Sequence, residues 1–175
     1  MTEGADAIDI SLALRPVRGA DISRLVELNN DAAPAVPLET QESMAALLEV
    51  SAWAAVVEGP EHKPIAAVIT VATGADYSSE NYEYFERRFN HHLYIDRVFV
   101  DRDHRSAGIG KMLYRAVEDE ARRRGATVVT CEVNLEPPNP KSLAFHHREG
   151  FQDLDTQATK GGSVVVQLLA KEIST

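Results

Sequence analysis

One stretch of the sequence constrains the fold more than any other: VFVDRDHRSAGIGKMLYRA, residues 98–116. The apolar run Val98–Val100 is typical of a buried strand, and it breaks into a charged loop that contains Gly108 and Gly110. An amphipathic helix follows, and Gly125 is placed to end it. A strand, a glycine-containing turn and a helix in this order direct several backbone N–H groups toward one point. When such a turn binds an anion, that anion is usually a phosphate.

Neither of two common phosphate-binding motifs fits this turn. No Gly-Lys-Ser/Thr sequence follows it, which excludes a Walker loop. The glycines Gly108 and Gly110 are followed by Leu113 and not by a third glycine, and no early strand precedes them, which excludes the dinucleotide fingerprint. From the residues alone, a phosphate site and a purely structural turn both stay open.

Length and composition predict one soluble domain over residues 1–175. Hydrophobic residues make up 44% and charged residues 26% of the chain, and no apolar run is long enough to cross a bilayer. Residues 1–10 are acidic and lack an apolar core, so we expect a flexible start and no signal peptide. Cys131 is the single cysteine, which excludes an intrachain disulfide and favours a cytoplasmic setting.

The net charge of the chain limits the kinds of molecule that we expect it to bind. The chain has 18 basic and 27 acidic residues, a net charge of −9. A protein with this charge does not attract nucleic acid or anionic membrane, so we expect neither as a partner. A cationic small molecule or peptide is the partner that the charge favours.

The hydrophobic pattern predicts seven strands and five helices. The predicted strands are Leu12–Val17, Ala52–Val57, Ile65–Ala72, Leu93–Val100, Thr127–Val133, Phe151–Thr156 and Ser163–Lys171. The predicted helices are Asp21–Leu28, Thr40–Val50, Glu80–Arg88, Gly108–Arg124 and Asn139–Glu149. Strand–helix–strand units around Val100 and Val133 imply a mixed, partly parallel sheet with helices on both faces, an α/β (α+β) fold.

Two motifs resemble those of a known superfamily. Arg105–Gly110 resembles the Gln/Arg-x-x-Gly-x-Gly/Ala signature of the GNAT acyltransferases. Asn139–Phe151 resembles the second signature of that family, an Asn that opens a helix ending in Gly-Phe. The order of elements matches the family from Leu12 to Leu169. The resemblance implies the GNAT fold, a mixed, mostly antiparallel twisted sheet of about seven strands flanked by helices on both faces.

The resemblance also implies acetyl-CoA as the acyl donor, with no metal. The backbone of Val98, Phe99 and Val100 would pair with the pantetheine arm as an added strand. The family's pyrophosphate site maps onto Arg105, Ser106, Ala107, Gly108, Ile109 and Gly110, and Lys111 follows within reach of a phosphate. Contacts with the arm map onto Asn139, Ser142 and Phe145. The alternatives are that Asn139 is only a helix cap, Phe145 only a core residue and Lys111 only a solvated side chain.

His146 marks a departure from the family pattern. Many members carry a Tyr beside the CoA sulfur, seven residues after the Asn, and this chain has His146 at that position. We therefore predict that His146 acts as general acid or orients the thioester. The alternative is a hydrogen-bonded histidine within the helix.

Asp96 and Glu132 are the candidate bases, since each carboxylate interrupts an apolar strand. Alternation places Tyr94, Asp96 and Val98 on one face and turns Arg97 to the other, away from Asp96. Glu132 matches a position where some family members carry a catalytic Glu. We expect burial to raise either pKa, with Glu132 as base and Asp96 as anchor for the amine. Salt bridges to neighbouring elements are the alternative for both.

These features predict an N-acetyltransferase that moves an acetyl group from acetyl-CoA directly to a primary amine of a small molecule or peptide. The competing hypotheses are a non-catalytic acyl-CoA-binding or regulatory domain and an enzyme with another acyl group or an O-linked acceptor. The aromatic segment before Leu93 is expected either to wall the acceptor pocket or to pack as a helix; its rings are Tyr77, Tyr82, Tyr84 and Phe85. The last strand, Ser163–Lys171, is a candidate for pairing across a homodimer.

Overall fold

The order of strands and helices follows the prediction from sequence. A computed structural model describes residues 12–174. The strands there are β1 (Ala13–Pro16), β2 (Trp53–Glu58), β3 (Pro64–Ala72), β4 (His92–Val100), β5 (Val128–Glu136), β6 (Gln152–Thr159) and β7 (Val164–Glu172). The α-helices are α1 (Ile22–Asp31), α2 (Gln41–Val50), α3 (Glu80–Arg88), α4 (Ile109–Arg124) and α5 (Pro140–Arg148). The predicted flexible start at residues 1–10 lies outside the described residues.

Local sequence signals explain where the helices begin and end. Thr40 Oγ1 accepts the N–H of Ser43 at 3.1 Å before α2, and Asn139 Oδ1 accepts the N–H of Ser142 at 3.3 Å before α5. Gly125 ends α4 in the left-handed conformation. These three predicted caps are confirmed. Strands β5 and β6 are longer than predicted because their pairing with β7 continues past the apolar stretches, as far as Glu136 in β5 and Thr159 in β6.

The described strands form one sheet in the order β1-β2-β3-β4-β5-β7-β6. Every neighbouring pair is antiparallel except β4 and β5, which are parallel and connected through α4. The predicted fold class and the mostly antiparallel sheet are confirmed. β7 lies between β5 and β6, with both edges occupied, so the predicted pairing of this strand across a dimer is wrong.

The two parallel strands separate soon after they meet. Both β4 and β5 are nine residues long, but they pair only at His92–Val128, Leu93–Val129 and Tyr94–Thr130. Past Tyr94 the ladder stops, and the later halves of the two strands have no pairing with each other. The sheet therefore has a gap at its centre, between the carboxyl-terminal halves of β4 and β5.

Three apolar clusters place the helices on the two faces of the sheet. On one face α4 packs through a stripe that is fully or nearly fully buried, consisting of Ile109, Leu113, Val117 and Ala121. α5 contributes Leu143 and Phe145 to the same side. Helices α1 and α2 cover the opposite face through Leu25 and Met44, and α3 extends this cover through Phe85. No helix in residues 12–174 has the length and apolar character needed to span a membrane.

A β-bulge in β4 changes which face several residues occupy. Thr70 of β3 pairs with Ile95 and Ile69 pairs with Arg97, so Asp96 is an extra residue on β4. At the bulge, the alternation of side chains between the two faces of the sheet shifts by one residue. Ile95 and Val98 consequently both pack on the α4 side of the sheet. The prediction that Val98 shares a face with Asp96 is therefore wrong.

Candidate active site

The turn before α4 presents a row of free backbone N–H groups. Its start is held by Asp101, whose carboxylate accepts the N–H of Asp103 at 3.0 Å and a guanidinium N–H of Arg24 at 2.5 Å. Ser106 and Gly108 then adopt left-handed conformations, with φ of 68° and 79°. α4 begins at the next residue without a side-chain cap. Among the described residues, the N–H groups of residues 106–111 find no acceptor. Unpaired N–H groups at the start of a helix are an arrangement that can bind an anion.

Cationic side chains surround this turn although the chain is acidic overall. Arg105, Lys111 and Arg115 are all exposed there. Arg105 also ties the turn to the end of β4, since its Nε donates to the Val100 carbonyl at 3.4 Å. The positive end of the α4 dipole adds to their charge. The residues predicted to bind phosphate, Arg105 to Lys111, thus lie around one turn whose exposed side chains include two cations.

The beginning of α5 lies beside the same turn. A Cβ added to Gly110 would lie 3.6 Å from the Phe145 ring, so Phe145 packs directly over this glycine. The Asn139 side chain uses its oxygen to cap the helix at Ser142, and its Nδ2 has no partner among residues 12–174. Asn139 is half-buried. The cap and a contact with a ligand are compatible, because they use different atoms of the Asn139 amide.

His146 is buried on the α4 side of the sheet, with both ring nitrogens bonded inside the protein. Nδ1 lies 2.7 Å from the Ser142 carbonyl, which can only accept, so Nδ1 carries the proton. Nε2 lies 2.6 Å from the Tyr114 hydroxyl and therefore accepts from it. Burial lowers the pKa of His146, which keeps the ring neutral. The Tyr114–His146 bond joins α4 to α5.

Removing either partner of this bond is expected to destabilise the protein. The variant His146→Phe leaves the buried Tyr114 hydroxyl without an acceptor, and we expect the free energy of unfolding to fall by about 1–3 kcal/mol. Tyr114→Phe is expected to cost a similar amount, and the double variant less than the sum. Urea denaturation of the three variants measures this coupling. Strict additivity would contradict the bond, and a loss of turnover in His146→Phe at unchanged stability would favour the general-acid role.

The gap between β4 and β5 exposes the main chain of Val98–Val100. The edge of β4 that faces β3 is paired throughout this stretch, and the edge that faces β5 is not. Val98 and Val100 are half-buried, and their side chains rest against the cluster beneath α4. An extended molecule that enters the gap therefore meets unpaired backbone groups of β4, as an added strand would.

Asp96 occupies the bulge and is already paired. Its Oδ1 accepts the Tyr77 hydroxyl at 2.5 Å, and its Oδ2 accepts the Arg97 Nε at 3.1 Å. Arg97 Nη2 also donates to the carboxylate of Glu39 at 2.7 Å, and Glu39 lies just before α2 in the chain. Burial raises the pKa of Asp96, and the Arg97 charge opposes this. The prediction that Arg97 turns away from Asp96 is wrong, because the bulge directs both side chains to the face covered by α1, α2 and α3.

Glu132 lies on β5 on the same face as Asp96. The Tyr94 hydroxyl is 2.9 Å from each carboxylate oxygen and shares its single proton between them. Burial, followed by the negative charge of Asp96, raises the pKa of Glu132 to about 8. The hydrogen bond from Tyr94 opposes this rise. A carboxylate with this pKa exchanges protons near neutral pH, as a general base must.

The structure thus brings two of the three predicted catalytic residues together. Asp96 and Glu132 meet on the α1–α3 face, and His146 lies on the other face. Sequence analysis did not predict the groups that hydrogen-bond to these carboxylates, namely Tyr77, Tyr94 and Arg97. Of the predicted aromatic wall, Tyr82 and Phe85 are core residues beneath α3, as the alternative stated. Of these four aromatic residues, only Tyr77 hydrogen-bonds to a carboxylate, that of Asp96. Its position in the loop before α3 did not indicate this contact.

Comparison with known proteins decides which family this arrangement represents. The model of the acetyltransferase (GNAT) family matches residues 24–151, which include the turn before α4, both carboxylates and α5. The chain belongs to the GNAT family. No curated protein sequence matches it significantly. Within residues 12–174, no cluster of three or more His, Cys, Asp or Glu side chains is arranged to hold a metal ion.

Solved structures of GNAT N-acetyltransferases have the same architecture. The ribosomal-protein-S18-alanine N-acetyltransferase from Escherichia coli is 16% identical with a TM-score of 0.70, covering 94% of this chain and 95% of its own. Ard1 from Thermoplasma volcanium is 16% identical with a TM-score of 0.74, covering 95% and 100%. NAA60 from Arabidopsis thaliana, solved with a bisubstrate analogue, is 17% identical with a TM-score of 0.73, covering 93% and 98%. At these identities the likeness establishes the GNAT fold.

Proposed function

We propose that this GNAT protein transfers an acetyl group from acetyl-CoA directly to a primary amine of a small molecule or peptide. The observation that carries the proposal is the position of Glu132. Its carboxylate, with a pKa of about 8, lies on β5 just past the end of the β4–β5 ladder, where the gap opens. The free N–H groups of residues 106–111 lie at the start of the helix that follows β4.

Acetyl-CoA would bind along the gap, on the side of α4 and α5. The N–H groups between Arg105 and Gly110 would hold the pyrophosphate, with Lys111 adding charge. The pantetheine arm would pair with the exposed backbone of Val98–Val100, and the free Nδ2 of Asn139 would donate to one of its amide carbonyls. This path supports the proposal because the N–H groups of residues 106–110 and Nδ2 of Asn139 lack partners among the described residues.

The chemistry requires a group that takes a proton from the amine. The ionised Glu132 carboxylate would accept it, and the neutral nitrogen would then attack the thioester carbonyl carbon. The C–S bond breaks as the C–N bond forms, the nitrogen releases its second proton to solvent to give the neutral amide, and the CoA thiolate leaves and takes up a proton from solvent. Glu132 returns its proton to solvent before the next turnover. Both oxygens of Asp96 are already bonded, so we propose that it attracts the cationic acceptor by its charge. His146, with no free nitrogen, would position α5 and not deliver a proton.

Thiol release from acetyl-CoA tests the proposal. The purified protein is assayed against a panel of polyamines, amino sugars, aryl amines and peptides with free N-termini, with propionyl-CoA and succinyl-CoA as alternative donors. We expect turnover with acetyl-CoA and at least one amine. Tight binding of acetyl-CoA without turnover on any amine would instead identify a non-catalytic acyl-CoA-binding domain. Faster turnover with another donor would correct the acyl group.

The proposed base predicts how the rate depends on pH. Glu132 accepts a proton only when ionised, and its pKa is raised from 4.5 to about 8. The rate is therefore expected to rise with pH, about tenfold per unit, until the pH reaches about 8. The measurement is kcat/KM for acetyl-CoA at saturating concentration of an acceptor whose own pKa lies below 7. A flat profile between about pH 6 and about pH 9 would exclude Glu132 as the base.

A further inference from the structure

The loop between α1 and α2 is bonded to both strands that border the gap. Residues 32–39 of this loop form what we call the bridge loop. On the β4 side, the Glu39 carboxylate accepts from Arg97 Nη2 at 2.7 Å, and these side chains are only 11% and 10% exposed. On the β5 side, the Ala35 carbonyl accepts from Asn134 Nδ2 at 3.2 Å. Both contacts lie beyond the end of the β4–β5 ladder, so the bridge loop spans the gap.

The bridge loop crosses the gap on the face that carries the two carboxylates. Asn134 follows Glu132 by two residues in a regular part of β5, so their side chains share a face of the sheet. On β4, Arg97 follows Asp96 and bonds to it. The two carboxylates therefore lie between the end of the ladder at Tyr94 and the bridge loop. A molecule that reaches Glu132 from this face has to pass the loop.

The two ends of the bridge loop are held unequally. On the α1 side, Asn29 Nδ2 donates to the Pro37 carbonyl at 2.8 Å. The Asn30 side chain bonds to both the N–H and the carbonyl of Glu39, at 2.9 and 3.0 Å. Among the described residues, the bond from Asn134 is the single hydrogen bond between the loop and β5, and it is exposed to solvent. An exposed hydrogen bond costs little to break, so the β5 end is the end that opens first.

We propose that the bridge loop limits the width of the acceptor, and that Asn134 is a specificity-determining residue because it holds the loop closed beside Glu132. The acceptor class is then a primary amine at the end of a slender, unbranched chain, which passes the loop without displacing it. An amine carried by a wide ring system has to open the loop first. The proposal rests on the proposed function, because it takes Glu132 as the group that the amine must reach.

A cysteine at the site measures the width of the passage without knowledge of the acceptor. The variant Glu132→Cys is treated with propyl methanethiosulfonate, which is slender, and with adamantylmethyl methanethiosulfonate, which is wide. Each rate is divided by the rate of the same reagent with free cysteine. The native chain gives the background, because its one cysteine, Cys131, is buried. We expect the wide reagent to react at least about tenfold more slowly, because it reacts only when the loop is open.

Removing the bond to β5 should help only the wide reagent. In the double variant Glu132→Cys, Asn134→Ala, its rate is expected to rise about twofold to tenfold, the value of one hydrogen bond, while the rate of the propyl reagent stays the same. Asn90→Ala in the Glu132→Cys background makes the same substitution at an exposed position before β4 and is the matched control. It should change neither rate.

Each other result would overturn the proposal. Equal corrected rates for the two reagents would mean that the loop sets no width limit, and no reaction with the propyl reagent would mean that no slender amine enters either. An unchanged rate of the wide reagent after Asn134→Ala would remove Asn134 as the residue that holds the loop.

Hydrogen exchange provides a second measurement that does not depend on Glu132→Cys folding. The N–H groups of Ala35 and Glu39 are hydrogen-bonded within the loop and to Asn30. Their exchange is expected to be about twofold to tenfold faster in Asn134→Ala than in the native chain, and equal exchange would contradict the proposal. Neither measurement uses acetyl-CoA. A lack of turnover on any amine would therefore overturn the proposed function and leave the width of the passage as measured.

Discussion

Glu132→Gln is expected to lower kcat by a factor of about 100 to 1,000 while leaving the affinity for acetyl-CoA unchanged. The substitution keeps the size of the side chain and its contact with the Tyr94 hydroxyl, but an amide cannot take a proton from an ammonium group. Because Glu132 lies on the face opposite α4, the phosphate turn is not disturbed. The measurements are steady-state kinetics with an acceptor from the panel and calorimetric titration with CoA.

The same variant should show a stability difference that depends on pH. The folded-state pKa of Glu132 is raised to about 8 from an ordinary value of 4.5. The native protein therefore loses stability as the pH rises from about 4.5 to about 8, because a buried carboxyl group must ionise. Glu132→Gln has no such group, so it should unfold at a higher temperature than the native chain at about pH 9, with the difference diminishing toward about pH 5.

The matched control is Glu136→Gln, the same substitution on the same strand at an exposed position. It should leave both kcat and the pH dependence of stability unchanged. If Glu132→Gln kept its full turnover, the base would have to be sought elsewhere, and Asp96 would be the next candidate because it is the other buried carboxylate on that face.

Gly108→Ala is expected to weaken the binding of acetyl-CoA by tenfold or more. Gly108 has a φ of 79°, in the left-handed region, where a side chain costs roughly 1–2 kcal/mol. A Cβ there meets no protein atom within 4 Å, so the added methyl group would point into the space in front of the turn. Relief of the strain would rotate the N–H groups of the turn away from their common point. Both effects act on the anion site, and calorimetric titration with CoA measures them.

Gly161→Ala separates loss of binding from loss of stability. Gly161 lies in the turn between β6 and β7, has a φ of 67°, and also has no atom within 4 Å of an added Cβ. The two variants should therefore lose similar stability in thermal denaturation, and only Gly108→Ala should lose affinity for CoA. Equal affinities in both variants would mean that the turn at Gly108 does not contact the cofactor.

Regular elements were predictable because their signals are local. The caps at Thr40 and Asn139 and the apolar stripe of α4 each lie within a few residues of one another in sequence. The turn before α4 was predictable for the same reason, since its strand, glycines and helix N-terminus are consecutive. The ends of β5 and β6 were placed too early because their last residues are polar and are held only by pairing with β7.

The carboxylate site could be predicted only as a list of candidates. Asp96 and Glu132 stood out as charges in apolar strands, but their partners come from distant parts of the chain. The two-residue alternation of side chains along a regular strand does not predict the bulge at Asp96. The extra residue becomes visible only when β4 is aligned with β3. For this reason two predictions were wrong: that Arg97 points away from Asp96, and that Val98 lies on the same face of the sheet as Asp96.

The sequence by itself determined the family, the order of elements and the turn before α4 with its unpaired N–H groups, because each depends on neighbours along the chain. Tertiary structure alone decided the electrostatics of the carboxylates. The pKa of Glu132 depends on burial and on Asp96 across the gap, and the hydrogen bonds of His146 depend on Tyr114 on another helix. These interactions act through space between residues far apart in sequence, and the packing of α3 and α4 on opposite faces of the sheet brings them together.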